Sequence, residues 1–289
     1  MMHLLLGAAI ISFSPVFVKL AAPYGIAGDL AAFHRVLIGG LCLLLASLVS
    51  REPRSKVWNM PRSGLLWSLA CACFFTADLL CWHLSILYVG PGLATLFGNF
   101  QVFLLAAWGI VLLREKPGLR FFAGILLAMG GLFAIVAPAW TSAGHNFQLG
   151  VFFGLLTGVF YAGYIITLNR TLAVCGDGSQ LAAMTANSLM TAALIAPIIL
   201  LRGETLALDP GMPLVLMAGY GISSQFIGWV LISRGLRETR MSLAGLILLL
   251  QPVLAYVWDL TIFARPAGLA ELVGVAATLT GIGLGARRR

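Results

Sequence analysis

Charge is what this sequence has least of. Only 10% of its 289 residues are Asp, Glu, Lys or Arg, against about 25% in an ordinary soluble domain. By contrast 60% are hydrophobic, and the mean hydropathy is +0.99. So few ionic groups could not cover a water-facing surface, so lipid is the solvent for most of the molecule. The signatures of familiar catalysis are missing too. There is no H-E-x-x-H, no G-x-S-x-G and no P-loop, and no two histidines stand at metal-ligand spacing. No catalytic residue, metal or cofactor is therefore expected. Cysteines are few and odd in number: Cys42, Cys71, Cys73, Cys81 and Cys175. Cys71 and Cys73 would point to different faces of a helix, so they read as small buried hydrophobes. The N-terminal "MMHLLLGAAIISF" has no Lys or Arg ahead of its apolar run, and reads as a retained first span.

What is present is hydrophobic length. A bilayer core takes about 20 residues of helix, and ten runs fit: 4–22, 30–50, 64–87, 92–113, 121–137, 150–168, 181–201, 214–233, 243–263 and 270–286. Short connectors holding Gly, Pro and charge separate them, including "REPRSKVWNMPR", "YVGPG", "REKPG" and "RPAG". If the N-terminus is cytoplasmic, 14 of the 18 Lys and Arg residues lie on the cytoplasmic side, leaving Lys19, Arg35, Arg202 and Arg265. That asymmetry puts both termini inside, the connector around Ser55 inside and the one around Ser142 outside. Basic connectors of this kind serve membrane orientation, so the partner is the lipid bilayer and not nucleic acid.

The chain also repeats itself. At a gapless offset of 150, Gln101, Trp108, Gly118, Gly124 and Gly131 meet Gln251, Trp258, Gly268, Gly274 and Gly281. Five spans per copy is an odd number, so the two copies enter the membrane from opposite sides. A pseudo-two-fold axis then lies in the membrane plane. The fold expected is an all-α membrane protein of ten transmembrane helices in two inverted five-helix repeats.

Those ten short helices, "FHRVLIGGL" opening the second, "LREKPG" after the fourth, and the glycine-punctuated "FAGILLAMGGLF" and "LVGVAATLTGIGLG" resemble the EamA branch of the drug/metabolite transporter superfamily. The resemblance covers essentially the whole chain, and departs from the pattern at "FARPAG" in the second half. It implies EamA-like repeats over 1–144 and 145–289, with helices 1, 3, 4, 6, 8 and 9 lining a central cavity. It further implies a secondary active transporter in a bacterial inner membrane, exporting a small organic metabolite such as an amino acid by alternating access. The alternative is an intramembrane enzyme acting on a lipid-like substrate.

The residues that could carry such chemistry fall into two sets. Lys19, Arg35, Asp78 and Asp259 are ionisable groups within spans, all within about 10 Å of the outer face at 1.5 Å per residue. A lone charge in a bilayer costs at least about 2.5–3.5 kcal/mol, so these invite pairing. Lys19, Arg35 and Asp259 read as an outer gate, or, for the two cations, as snorkelling side chains. Asp78 is the deepest, and is expected either to pair with Arg35 or Lys19 in closing the outer side or to meet a cationic group or a coupling proton or cation. The second set is polar and aromatic, recurring at helical spacing: Phe75, Asp78 and Trp82; Phe97, Gln101 and Trp108; Thr157, Tyr161 and Tyr164; Gln225 and Trp229; Gln251, Ala255 and Trp258. From these the substrate-binding set is Phe75, Asp78, Trp82, Phe97, Gln101, Tyr161, Tyr164, Gln225, Trp229 and Gln251, stacking on a solute and bonding its polar groups. The bland alternative is interhelical packing. Pro15, Pro197 and Pro252 are expected to kink their helices, and His34 and His83, near outer helix ends, to face water.

Overall fold

The structure is a computed structural model that describes residues 1–26, 28–49, 60–140, 147–176, 180–264 and 268–286, with side chains except at 90–93, 136–140 and 259. Ser55, Ser142, Arg265 and the 144/145 repeat boundary lie outside the described residues, as does the Asp259 side chain. Among the described residues every regular element is helical. Nine helices among the described residues are long and apolar enough to cross a membrane: α1 Met2–Tyr24, α2 Gly28–Val49, α3 Arg62–Val89, α4 Ala94–Val111, α6 Phe147–Cys175, α7 Gln180–Leu201, α8 Met212–Glu238, α9 Met241–Ile262 and α10 Leu269–Ala286. A shorter apolar helix, α5, covers Leu119–Ile135. Each coincides with one of the ten apolar runs, so the chain is a multi-pass integral membrane protein.

Two contacts establish sidedness. The terminal amine of Met1 and His3 reach Glu238 at 3.5 and 3.2 Å, setting the start of α1 beside the end of α8. On the far side Arg202, ending α7, pairs with Asp29, opening α2, at 2.6 Å. His34 is packed there, its ring nitrogen on the Leu206 carbonyl at 3.0 Å, and Gly28 leaves room for the His83 ring. The expectation that these histidines face water is corrected: His34 packs under the segment that follows α7, and the His83 ring lies against the start of α2.

The "YVGPG" connector expected between the third and fourth spans is instead wound as helix, continuous from Arg62 to Gly98. It still reverses direction. A Cβ on Gly154 of α6 would stand 2.7 Å from Phe97 Cβ and 2.9 Å from Ser85 Oγ. A dozen residues of straight helix would hold those two about 18 Å apart, so the chain doubles back between them.

The seam between α5 and α10 displays the duplication in three dimensions. Gly124 packs on the backbone of Gly281, and Gly131 on that of Gly274. Since 274 and 281 are the repeat images of 124 and 131, each glycine meets the image of the other. A two-fold axis demands that pattern. Thr278 Oγ1 bonds across the seam to the Ala128 carbonyl at 3.1 Å; glycine allows the close approach that makes this possible.

On the terminal side the "REKPG" turn reaches the other half. Glu115 accepts from Met241 N at 2.8 Å and Ser242 N at 3.2 Å, and from the Ser242 hydroxyl. These are first-turn donors of α9, which have no partner inside their own helix and carry the positive end of its dipole. A carboxylate from the α4–α5 turn therefore caps a helix of the opposite repeat.

Candidate functional site

Three helices break at the same place. The α-helical winding of α1 stops at Ile11 and resumes at Ser14; that of α4 stops at Gly98 and resumes at Gln101; that of α9 stops at Leu248 and resumes at Leu250. The breaks in α4 and α9 are repeat images, Asn99 and Leu249 being 150 apart. Pro15 and Pro252 follow two of them, and have no N–H to offer the carbonyls of Ile11 and Leu248, four residues earlier. Broken helices leave backbone polar groups unspent, and inside a membrane this is tolerated where they line a cavity.

That cavity is there. Ile11, Ser12, Ser14, Pro15, Gly98, Asn99, Leu248, Gln251 and Pro252 line a space of about 170 Å³, with α2, α3, α6 and α8 completing the wall. An engineered apolar cavity of about 150 Å³ accepts benzene, so the space suits one small solute. Towards the terminal side it rests on stacked rings. Phe75 lies flat on Tyr164, centroids 4.3 Å apart, and Trp229 stands edge-on to Tyr164 at 4.7 Å and to Phe75 at 5.9 Å. Such pairs each contribute about 0.5–1.5 kcal/mol beyond their burial.

Two buried charges meet this space, Arg35 at 6% exposure and Asp78 at 8%. The Arg35 guanidinium sits 5.5 Å from the Phe75 ring centre and 5.3 Å from that of Tyr220, within cation–π range. It donates from Nη1 to the Tyr220 hydroxyl at 3.3 Å, while Nε is buried with no partner among the described residues. Among the described residues, no ion pair within 4.0 Å joins Arg35 to Asp78, and the Asp78 carboxylate makes no hydrogen bond. The two groups share the cavity wall without touching.

Arg35 is held there by the glycines of "FHRVLIGGL". Gly39 admits the Gln225 side chain from α8, and Gly40 admits Ser188 and Leu189 from α7. Over this notch Gln225 Nε2 donates to Ser188 Oγ at 2.9 Å. The α8 backbone widens to a π-helix over Gly221–Gly228, a rare winding found mostly at functional sites. In it Ser224 Oγ meets Ser14 Oγ at 2.9 Å.

The profile of the EamA-like transporter family matches residues 1–137 and again 148–285. The chain belongs to the EamA-like transporter family. An uncharacterized protein of Pseudomonas aeruginosa is 31% identical over 186 residues, 64% of this chain and 59% of that protein. An uncharacterized transporter of Synechocystis is 29% identical over 140 residues, 44% of this chain and 41% of its own length. The alignments thus span less than two thirds of either relative. One crystal structure superimposes with a TM-score of 0.80 over 99% of this chain and 97% of the other at 17% identity, a likeness of fold alone.

In this EamA-like transporter Phe75, Asp78, Trp82, Tyr161, Trp229 and Gln251 from the expected binding set all line the cavity, and Arg35 joins them. Arg35 does not snorkel; its head is turned inward. Tyr164 lies one layer behind Phe75, and Gln225 is tied to Ser188 away from the cavity wall. Phe97 is buried against Gly154, and Gln101 is fully buried in protein. Lys19 stands apart, its Nζ 4.1 Å from the Phe263 ring centre. Trp258 is not on the wall but donates to Ser12 Oγ at 2.8 Å and stacks on Phe13 at 4.4 Å, binding α1 to α9. At Pro197 the helical winding is not interrupted, running over Gln180–Leu201. The transporter also lines its cavity with Ser12, Thr95, Asn99 and Tyr220, none of which stood out in the sequence. Asn99 in particular bonds back to the Thr95 carbonyl at 2.7 Å, a local competition with the helix. Among the described residues no three His, Cys, Asp or Glu side chains gather as a metal site would require.

Proposed function

We propose that this protein is a secondary active transporter that exports a small zwitterionic metabolite, such as an amino acid, by alternating access around the central cavity. The observation that carries the reading is the presence of Arg35 and Asp78 on one cavity wall with no direct ion pair between them. A solute bearing both a carboxylate and an ammonium satisfies both, offsetting a cost of about 2.5–3.5 kcal/mol for each charge held in a bilayer. Phe75, Trp82 and Tyr161 would pack its apolar part, and Gln251 would bond its polar edge. Asp78 is in addition the group on which a coupling proton or cation would act, while Lys19, Arg35 and Asp259 belong to closure on the far side. The weight of Lys and Arg on the terminal side supports cytoplasmic termini and a bacterial inner membrane.

The test is a thermal-shift screen of purified protein against zwitterions, simple carboxylates, quaternary amines, sugars and nucleosides, followed by release from inside-loaded proteoliposomes. A ligand at one hundred times its Kd stabilises the native state by about 2.7 kcal/mol. Zwitterions should raise the melting temperature and the other classes should not. A shift with amines or carboxylates alone, or an undiminished zwitterion shift in Asp78→Asn, would overturn the assignment.

A further inference from the structure

The two glutamines of the repeat are equivalent in sequence and opposite in situation. Gln251, just past the break in α9, lines the cavity and donates from Nε2 to the Tyr161 hydroxyl at 3.3 Å. Gln101, just past the break in α4, is fully buried, and neither Nε2 nor Oε1 has a partner among the described residues. A buried amide with no partner is costly. The cost is explained if this arrangement is one of two, and the amide is satisfied in the other.

The duplication indicates where. In an inverted repeat, the arrangement one half holds in one state is available to the other half in the opposite-facing state. Gln251 meets Tyr161; stepping both back by 150 sets Gln101 against Ile11. Ile11 has no hydroxyl, but Pro15 leaves its carbonyl without a helical donor, and Ser12 beside it carries a hydroxyl. Both residues line the cavity. In the present arrangement the Ser12 oxygen accepts from Trp258 Nε1 and donates to the Ala9 carbonyl. Trp258 is on α9 and Gln101 on α4, the repeat image of α9.

We propose that Gln101 is a state-dependent contact of the transport cycle, orphaned here and docked on the Ile11 carbonyl and Ser12 hydroxyl when the cavity faces the other side of the membrane. α1 then exchanges partners, Trp258 in one state and Gln101 in the other, hinging at its own break while α4 hinges at Asn99. This rests on the transport reading above.

The experiment uses Gln101→Leu in the full chain, with Thr95→Cys in a cysteine-free background as the reporter in the cavity. Deleting an orphaned buried amide should raise the apparent melting temperature by about 2–4 °C. Deleting a contact of the opposite state should deplete that state by about 5–30-fold. Thr95→Cys in sealed vesicles should accordingly be labelled by an impermeant maleimide from both sides in the parent, and from one side in Gln101→Leu. Gln251→Leu should lower the melting temperature, because it strips a bond present in the arrangement described. No rise for Gln101→Leu, or labelling from both sides in that variant, would overturn the proposal. A parent labelled from one side only would count against transport itself. Gln101→Met, with an unbranched chain, supplies both readouts if the Leu variant does not fold.

Discussion

Gly130 and Gly131 are neighbours on α5, yet substituting each by alanine should move stability in opposite directions. A Cβ on Gly131 would stand 2.5 Å from the Gly274 carbonyl oxygen and 2.6 Å from Thr278 N. These are backbone atoms of α10, which cannot turn aside as a side chain can, so the two helices would have to part. Overpacking of this kind costs about 1–3 kcal/mol, and the Thr278–Ala128 bond across the seam would lengthen as well. Against it stands a gain of about 0.4–1 kcal/mol from the lower freedom of alanine in the unfolded chain. The clash wins at Gly131. A Cβ on Gly130 meets nothing within 4 Å, so the gain is left alone. The assay is the apparent melting temperature of purified protein at one fixed scan rate, because irreversible unfolding makes the value depend on that rate. Gly131→Ala should melt several degrees below the parent and Gly130→Ala level with it or above. By the pseudo-two-fold, Gly281→Ala should behave like Gly131→Ala, its Cβ falling 2.6 Å from Ala128 N and from the Gly124 carbonyl. If Gly131→Ala proves as stable as Gly130→Ala, the seam is not the close contact described.

Three further outcomes are expected. Asp78→Asn should weaken zwitterion binding and so slow both gradient-driven accumulation and exchange; if the carboxylate serves closure and not the solute, exchange should persist and removing Arg35 as well should restore part of the loss. Wild-type rates with unchanged pH dependence in Asp78→Asn would leave it only a packing role. Glu115→Ala should destabilise by about 0.5–2 kcal/mol, the usual cost of losing a helix cap, read as a lower melting temperature than Glu115→Gln, which keeps an acceptor for α9; equal values would show that the cap contributes nothing. Single cysteines at Ser55 and Ser142 should label from the cytoplasmic and external sides respectively, and reaction of Ser55→Cys with an impermeant reagent on intact cells would refute the orientation.

Where the fold was legible, hydrophobic length and the offset of 150 made it so. Ten apolar runs became ten helices because lipid leaves the backbone no other way to satisfy itself, and Gly124, Gly131, Gly274 and Gly281, paired in sequence only as repeat images, prove to form the seam. Phe75, Asp78 and Trp82 were legible from their helical spacing together with the resemblance that put helix 3 at the cavity, since a polar face on one apolar helix has few places to go. Asn99 escaped notice because a helix break without proline has no signature of its own, and Ser12 and Tyr220 because single hydroxyls are common within membrane helices. Gln101 and Gln251 show the limit more sharply. Identical residues in identical register ended in different surroundings: Gln251 meets the Tyr161 hydroxyl, whereas the image of Tyr161 is Ile11, which has none.

The contact between α5 and α10 has a consequence for ancestry. Each glycine touches the image of the other, so the seam is self-complementary, as the interface of a two-fold dimer is. A polypeptide of five helices, able to insert in either orientation, would present the same stripe to an oppositely inserted copy of itself and find it already matched. Joining two such genes end to end would then add a covalent link to a fit that already existed. Afterwards the halves could diverge, and a glutamate at 115 with none at its image, 265, is the kind of difference only a fused pair can accumulate.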